Sequence, residues 1–349
     1  MKWNVEQLDN LPIHFVLCTE RTGSSLLSLM LNLNTEILSP SEEPFALYFW
    51  KKYEKKRSWS EKDILDYVDA FFLLAEKNTD LYFSKKAKFI SNLLEHKEIL
   101  TFHRIIKLTY LNFLDVKDKS GIKCIIDKQI KYFFHLQHLQ QIFPGAKYIV
   151  LTRDVRDNIV SKRNRKLNWN QNPLFLAALW NDTYQQTKYL KEQQFIRISY
   201  EKLMTETETE LKKICKWVAC DYTPKMLEIN GVYNSFLDAK AADVDPLFIQ
   251  HLRDFHSGLS QKPNTHKIGQ YATELDHSLL DQIEQICGES LVKMGYNLSI
   301  NKHNSFSITQ WYYKTLAIFY RRYLLHIYYF IPLAVKLFIK KRKGKKIHV

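Results

Sequence analysis

The stretch FVLCTERTGSSLLSLMLNLN, Phe15 to Asn34, constrains the fold of this chain more than any other. An apolar run, Phe15-Val16-Leu17-Cys18, breaks into a short polar turn with one glycine and two serines. Apolar residues then resume at helical spacing as Leu26, Leu27, Leu29, Met30, Leu31 and Leu33. The pattern predicts a strand, a tight loop and a helix. Such a layout aims backbone N–H groups and the positive end of a helix at the space above the loop, which makes the loop a cradle for an anion.

Four short β-branched or aromatic runs read as strands: Ile13 to Cys18, Ile122 to Ile126, Lys147 to Leu151 and Phe195 to Ile198. Each has a helical pattern beside it, and continuous apolar runs suit strands buried on both faces of a parallel sheet. The expected class is therefore α/β, a parallel sheet flanked by helices. Between the first two runs, residues 45–120 read as a helical insertion over the sheet, the usual place for substrate specificity. One of its helices opens at Ser60, with Asp63 three positions on as a variant capping box. Further helices are expected at Lys131 to Ile142, Val155 to Arg165, Pro173 to Lys191, Glu206 to Val218 and Ser278 to Met294.

The formal charge of +14 has to be located before it is interpreted. From Phe306 to Val349 there are ten Lys or Arg and no Asp or Glu, which leaves 41 basic and 37 acidic residues in the body. The excess thus belongs mostly to one end, as a basic tail, 301–349, behind a main domain of residues 1–300. The five cysteines are scattered without a C-x-x-C pair and read as reduced and structural. No secretory signal is visible at the N-terminus, so the expected location is cytoplasmic.

The loop Glu20-Arg21-Thr22-Gly23-Ser24-Ser25 lacks the lysine and second glycine of a phosphate loop of the G-x-x-x-x-G-K-[ST] kind. No carboxylate evident at the end of a later strand stands ready to hold Mg²⁺, so a metal-nucleotide kinase is disfavoured, though it remains an alternative. A second segment, Lys147 to Asp157, places Arg153 at a strand end ahead of a helix on which Ser161 and Arg165 share a face. Two guanidiniums and a hydroxyl around one point form a second anion site.

Two anion sites on neighbouring βα turns, one without a phosphate-loop lysine, resemble the sulfotransferase family that uses 3′-phosphoadenosine 5′-phosphosulfate (PAPS). Its first loop, R-[ST]-G-[ST]-[ST], is matched by Arg21 to Ser25, and its R-D-x-R-x-x-x-x-S segment by Arg153 to Ser161. Asp127-Lys128 with Phe143-Pro144-Gly145-Ala146-Lys147, Arg197 to Leu203, and Ile268-Gly269-Gln270-Tyr271 are similar to the carbohydrate and tyrosyl-protein branch. The resemblance covers roughly residues 12 to 300 and implies a P-loop-like fold and sulfonate transfer from PAPS, without a metal, to an acceptor hydroxyl. It implies that Arg21, Thr22, Gly23, Ser24, Ser25 and Leu26 cradle the phosphosulfate, that Arg153, Ser161 and Arg165 hold the 3′-phosphate, and that Tyr200 supports them. Lys128 would offset charge on the leaving phosphate. For the base, ungapped counting from Arg21 points to Glu42, whereas matching the Glu-Pro pair points to Glu43, and the second match is slightly favoured. The paired histidines His135 and His138 read as packed rather than metal-binding.

The tail combines eleven aromatic with its ten basic residues between Phe306 and Val349. Its most apolar stretch, Tyr323 to Ile339, is interrupted by His326, Pro332 and Lys336, and reads as lying on an anionic membrane surface rather than spanning it. Membrane proximity suggests a saccharide, lipid-linked saccharide or glycolipid acceptor. A nucleic-acid-binding protein with a degenerate nucleotide fold is the other alternative, but nucleic-acid binding is not expected, because the charge sits beside apolar residues instead of covering a face.

Overall fold

The computed structural model describes residues 2–40, 42, 45–75, 81–113, 121–165, 172–241, 244–260, 263–299, 307–325 and 331–344. Five parallel strands form one sheet: β1 (Ile13–Leu17), β2 (Ile37–Leu38), β3 (Cys124–Gln129), β4 (Tyr148–Thr152) and β5 (Phe195–Ser199). Their order is β2-β3-β1-β4-β5. β1 is buried along its whole length because it pairs on both edges, Ile13 opposite Ile125 and Phe15 opposite Tyr148. The strand order reverses direction beside β1, and α/β sheets open a crevice at the carboxyl ends of strands at such a switch.

Alternation along the strands feeds two cores. Ile13, Phe15, Leu17, Ile125, Tyr148 and Val150 face one; Val16, Cys18, Cys124, Ile126, Ile149 and Leu151 face the other. The second core is closed by the helix Ser24–Asn32 and by Thr207–Val218. The first receives Phe45–Tyr53, Glu61–Ala75, Lys86–Glu95 and Phe102–Leu111 from between β2 and β3, and then Pro173–Gln185 and His277–Lys293. The Ser60–Asp63 capping pair forms as expected, with the Ser60 N–H donating to Asp63 at 2.8 Å and the Asp63 N–H to Ser60 at 3.2 Å.

The structure departs from the sequence expectation in three places. β2 is a two-residue edge strand, too short for a periodic signal. The helix expected at Lys131 to Ile142 starts as a 3₁₀ turn, Tyr132–His135, before the α-helix Leu136–Ile142. β3 runs on to Gln129, so Lys128 lies within the strand and not after it. His135 is buried, its ring 6.1 Å from that of His138. All five cysteines are free and buried.

The C-terminal region is held by a buried charge network. Arg156 donates to Asp154 at 2.6 Å, to Glu284 on the helix His277–Lys293 at 2.5 Å, and to the Asn297 carbonyl at 3.0 Å. Both Arg156 and Glu284 are almost wholly buried, so neither charge has water to fall back on. Replacing Glu284 by alanine is therefore expected to lower unfolding stability by about 3 kcal/mol, because a buried guanidinium then loses an anionic partner. Urea denaturation of the variant against the parent chain checks this, and a change near zero would mean that the network is structurally dispensable.

Candidate active site

The turn after β1 is shaped by two left-handed residues, Arg21 (φ 64) and Gly23 (φ 80). Left-handed conformation is costly for an arginine, and successive N–H groups converge in such a turn to form an anion nest. The Thr22 hydroxyl braces it by donating to the Thr19 carbonyl at 2.8 Å, and Asn158 donates to the Glu20 carbonyl at 2.7 Å. Thr22 thus offers an anion its N–H, since its hydroxyl is committed. Gly23 caps the helix Ser24–Asn32 without a side-chain acceptor, leaving the first-turn N–H groups, Ser24 to Leu26, open toward the cleft.

Glycine is required at 23 for a second reason. A Cβ there would stand 2.8 Å from the Tyr200 ring. That ring closes over the loop and lies under Arg153, whose guanidinium carbon is 4.4 Å from the ring centroid. Arg153 in turn donates to the Arg21 carbonyl at 2.9 Å and to the Lys267 carbonyl at 2.7 Å. Its Nε is buried and has no acceptor among the described residues, which leaves one donor of a cation for an external acceptor. Arg21 Nε donates to Ser161 Oγ at 3.2 Å, so the two anion sites inferred from sequence are joined into one strip. Arg165 ends the helix Val155–Arg165, and its side chain falls outside the described residues.

The Ile268–Tyr271 loop reaches this strip through Asp157, which accepts the Gly269 N–H at 2.7 Å and the Tyr271 N–H at 3.0 Å. The Tyr271 ring faces Arg156 at 4.1 Å. Burial raises the Asp157 carboxyl above its usual range, and the two N–H bonds oppose that. The aspartate role was missed from sequence; its one signal was an acidic residue in the first turn of the helix Val155–Arg165, among arginines.

On the other side of the loop, Lys128 is almost wholly buried, pairs with the half-exposed Glu42 carboxylate and lies 3.4 Å from Ser25 Oγ. Glu43 lies outside the described residues. Next to Lys128, Asp127 is fully buried and accepts hydrogen bonds from Tyr110 and Tyr132 and, at 3.3 Å, from Gln129. Burial pushes its carboxyl up from 3.8 to about 6, against the pull of those donors. A cleft of about 480 Å³ opens here. Its polar end holds Arg21, Ser24, Ser25, Glu42 and Lys128, and its wall is built by Tyr82, Tyr233, Phe236, Leu252 and Phe255. Tyr82 and Phe236 stack nearly parallel at 5.4 Å, and the Tyr82 hydroxyl meets that of Tyr233 at 3.1 Å.

A family model described as the sulfotransferase family matches residues 12–224. Among solved structures, the sulfotransferase domain from the curacin biosynthetic pathway aligns at a TM-score of 0.51 and 18% identity, covering 82% of this chain and 99% of that one. The sulfotransferase domain of the Synechococcus PCC 7002 olefin synthase aligns at 0.46 and 17%, covering 87% and 94%. Sulfotransferase STF9 from Mycobacterium avium aligns at 0.45 and 14%, covering 83% and 78%. No curated protein sequence matches the chain. The first of these likenesses fixes the fold type, and the family match extends from β1 past β5.

The buried Asp127 gives a stability signature. Its carboxyl binds a proton more tightly in the fold than in the unfolded chain, so its contribution falls as pH rises from 3.8 through about 6 and is flat above. Asp127→Asn is expected to remove that decline. Melting curves of parent and variant between these limits should converge at low pH and separate as pH rises, and parallel curves would show that Asp127 does not titrate there.

Proposed function

The chain belongs to the sulfotransferase family, and on that premise we propose that it moves a sulfonate group from PAPS to a hydroxyl of a saccharide or glycolipid, with Glu42 as base and Lys128 at the leaving group. PAPS supplies, when bound, an activated sulfuryl group on a phosphate. The residues present fit such a molecule: a nest and helix end for one anion, and a buried arginine with an orphaned Nε for another.

The observation that carries the reading is the position of Lys128 between two partners. Its ammonium is shared by the Glu42 carboxylate and the Ser25 hydroxyl at the mouth of the cradle. Without ligand, the two charges neutralise each other in a site where burial would otherwise penalise the ammonium. An anion on the loop competes for Lys128, and the carboxylate it releases can accept the proton of an acceptor hydroxyl. Lys128, the loop N–H groups and Arg153 then offset negative charge as it develops, which is where electrostatic preorganisation contributes most. Glu42 takes the base role here because it is the described carboxylate that meets Lys128. The saccharide or glycolipid acceptor is supported by the Glu-Pro pair at Glu43-Pro44 and by the aromatic wall of the cleft.

Two measurements test this reading. 3′-Phosphoadenosine 5′-phosphate should raise the melting temperature of the intact chain, ATP with Mg²⁺ should not, and Arg153→Ala should blunt the response. Stabilisation by ATP with Mg²⁺ alone would favour a phosphotransferase. Separately, Glu42→Gln should lower kcat roughly 10²–10⁴-fold while leaving 3′-phosphoadenosine 5′-phosphate binding nearly unchanged. A Glu42→Gln enzyme with full turnover, beside an inactive Glu43→Gln, would transfer the base role to Glu43.

A further inference from the structure

The tail expected to lie on a membrane folds into a helix, Ile308–Phe319, continued by the π-turn Tyr320–Leu325, and a second helix, Leu333–Gly344. No helix among the described residues is long and apolar enough to cross a membrane. Both helices pack on the body. The first is fixed by Arg321 Nε donating to Asp182 at 2.5 Å, Asn172 to the Tyr313 hydroxyl at 2.8 Å, and Gln310 to Gln285 at 2.7 Å, with Ala317 fully buried. The second sets Leu333 and Lys336 against the body, the Lys336 ammonium 5.1 Å from the Tyr48 ring.

A helix that buries one face in a core ordinarily turns a polar face to water. Here the first helix and the turn after it expose Ile308, Trp311, Tyr312, Ile318, Phe319 and Tyr323 on one side, with Thr315 and Arg322 among them. Ile308 is 77% and Trp311 57% exposed. The second helix repeats the pattern with Val335, Phe338, at 55%, and Ile339. So many exposed large apolar side chains on neighbouring elements mark an interaction site. Its chemistry names the occupant. Residues 307–344 carry Lys314, Arg321, Arg322 and a terminal Lys340-Lys341-Arg342-Lys343 run, and no acidic residue at all. Protein interfaces tend to be depleted of lysine, whereas tryptophan and tyrosine beside lysine and arginine suit the headgroup level of a bilayer. Arg342 is exposed and pairs a cation with this apolar face, its guanidinium 4.6 Å from the Phe338 ring.

We infer that these two stripes dock the enzyme on an anionic lipid surface, the aromatic side chains entering the interface and the basic residues meeting lipid phosphates. The docking is independent of the reaction, so its test reads binding and not turnover. The full chain should co-sediment with phosphatidylcholine–phosphatidylserine vesicles, weakly or not at all with phosphatidylcholine vesicles, and release as salt is raised. Lys340→Glu, Lys341→Glu and Arg342→Glu together should weaken that binding roughly a hundredfold, since each basic residue near an anionic surface adds a comparable increment. Trp311→Ser with Phe319→Ser should weaken it as well, with an unchanged circular dichroism melt. If the serine variant unfolds, the charge variant still decides the matter, because it changes the far end of the second helix. Absence of binding to anionic vesicles, equal binding to both vesicle types, or a dimer in sedimentation equilibrium that the serine variant dissolves would each overturn the proposal.

Discussion

Arg153 is the fastening on which the cleft depends. Its guanidinium bonds the carbonyl of Arg21 and the carbonyl of Lys267, from segments 132 and 114 residues away in sequence, while its flat face rests on Tyr200. Arginine suits the task because its donors diverge in one rigid plane and its charge persists at any physiological pH. Three parts of the chain therefore meet at one buried cation: the turn after β1, the end of β4 and the C-terminal loop. Hydrogen bonds from a charged donor are stronger than neutral ones, and here they hold loop backbone that no sheet ladder holds.

Around that fastening the site divides by side of the sheet. Arg153, Ser161, Tyr200 and the loop held by Asp157 lie toward β4 and β5; Lys128 and Glu42 lie toward β3 and β2. The helix Ser24–Asn32 starts between them, its first turn left without a side-chain cap.

Four of the five strands and the tight turn after β1 were legible in the sequence because each is a local pattern: an apolar run, then a turn whose residue types allow only a few conformations. The helix Val155–Arg165 and the Ser60 capping pair were legible for the same reason. What sequence could not supply were pairings between distant residues. Nothing local says that Glu284 is the partner of Arg156, that Asp157 collects amides of residues 269 and 271, or that Tyr110 and Tyr132 converge on Asp127. The tail was legible in its chemistry but not in its shape. Pro332 marks a break in its apolar stretch, and a helix opens just after it at Leu333, but nothing local says that both helices spend one face on the body.

The second tail helix packs on Phe45–Tyr53 and Glu61–Ala75, the helices that follow Glu42. Domains fold in the order in which the ribosome delivers them. The sheet, the turn after β1 and Arg153 can assemble before residues 307–344 are made, but the helices beside Glu42 lack part of their cover until Leu333–Gly344 emerges. The part of the cleft around Arg153 can therefore be complete earlier in the life of each molecule than the part around Glu42.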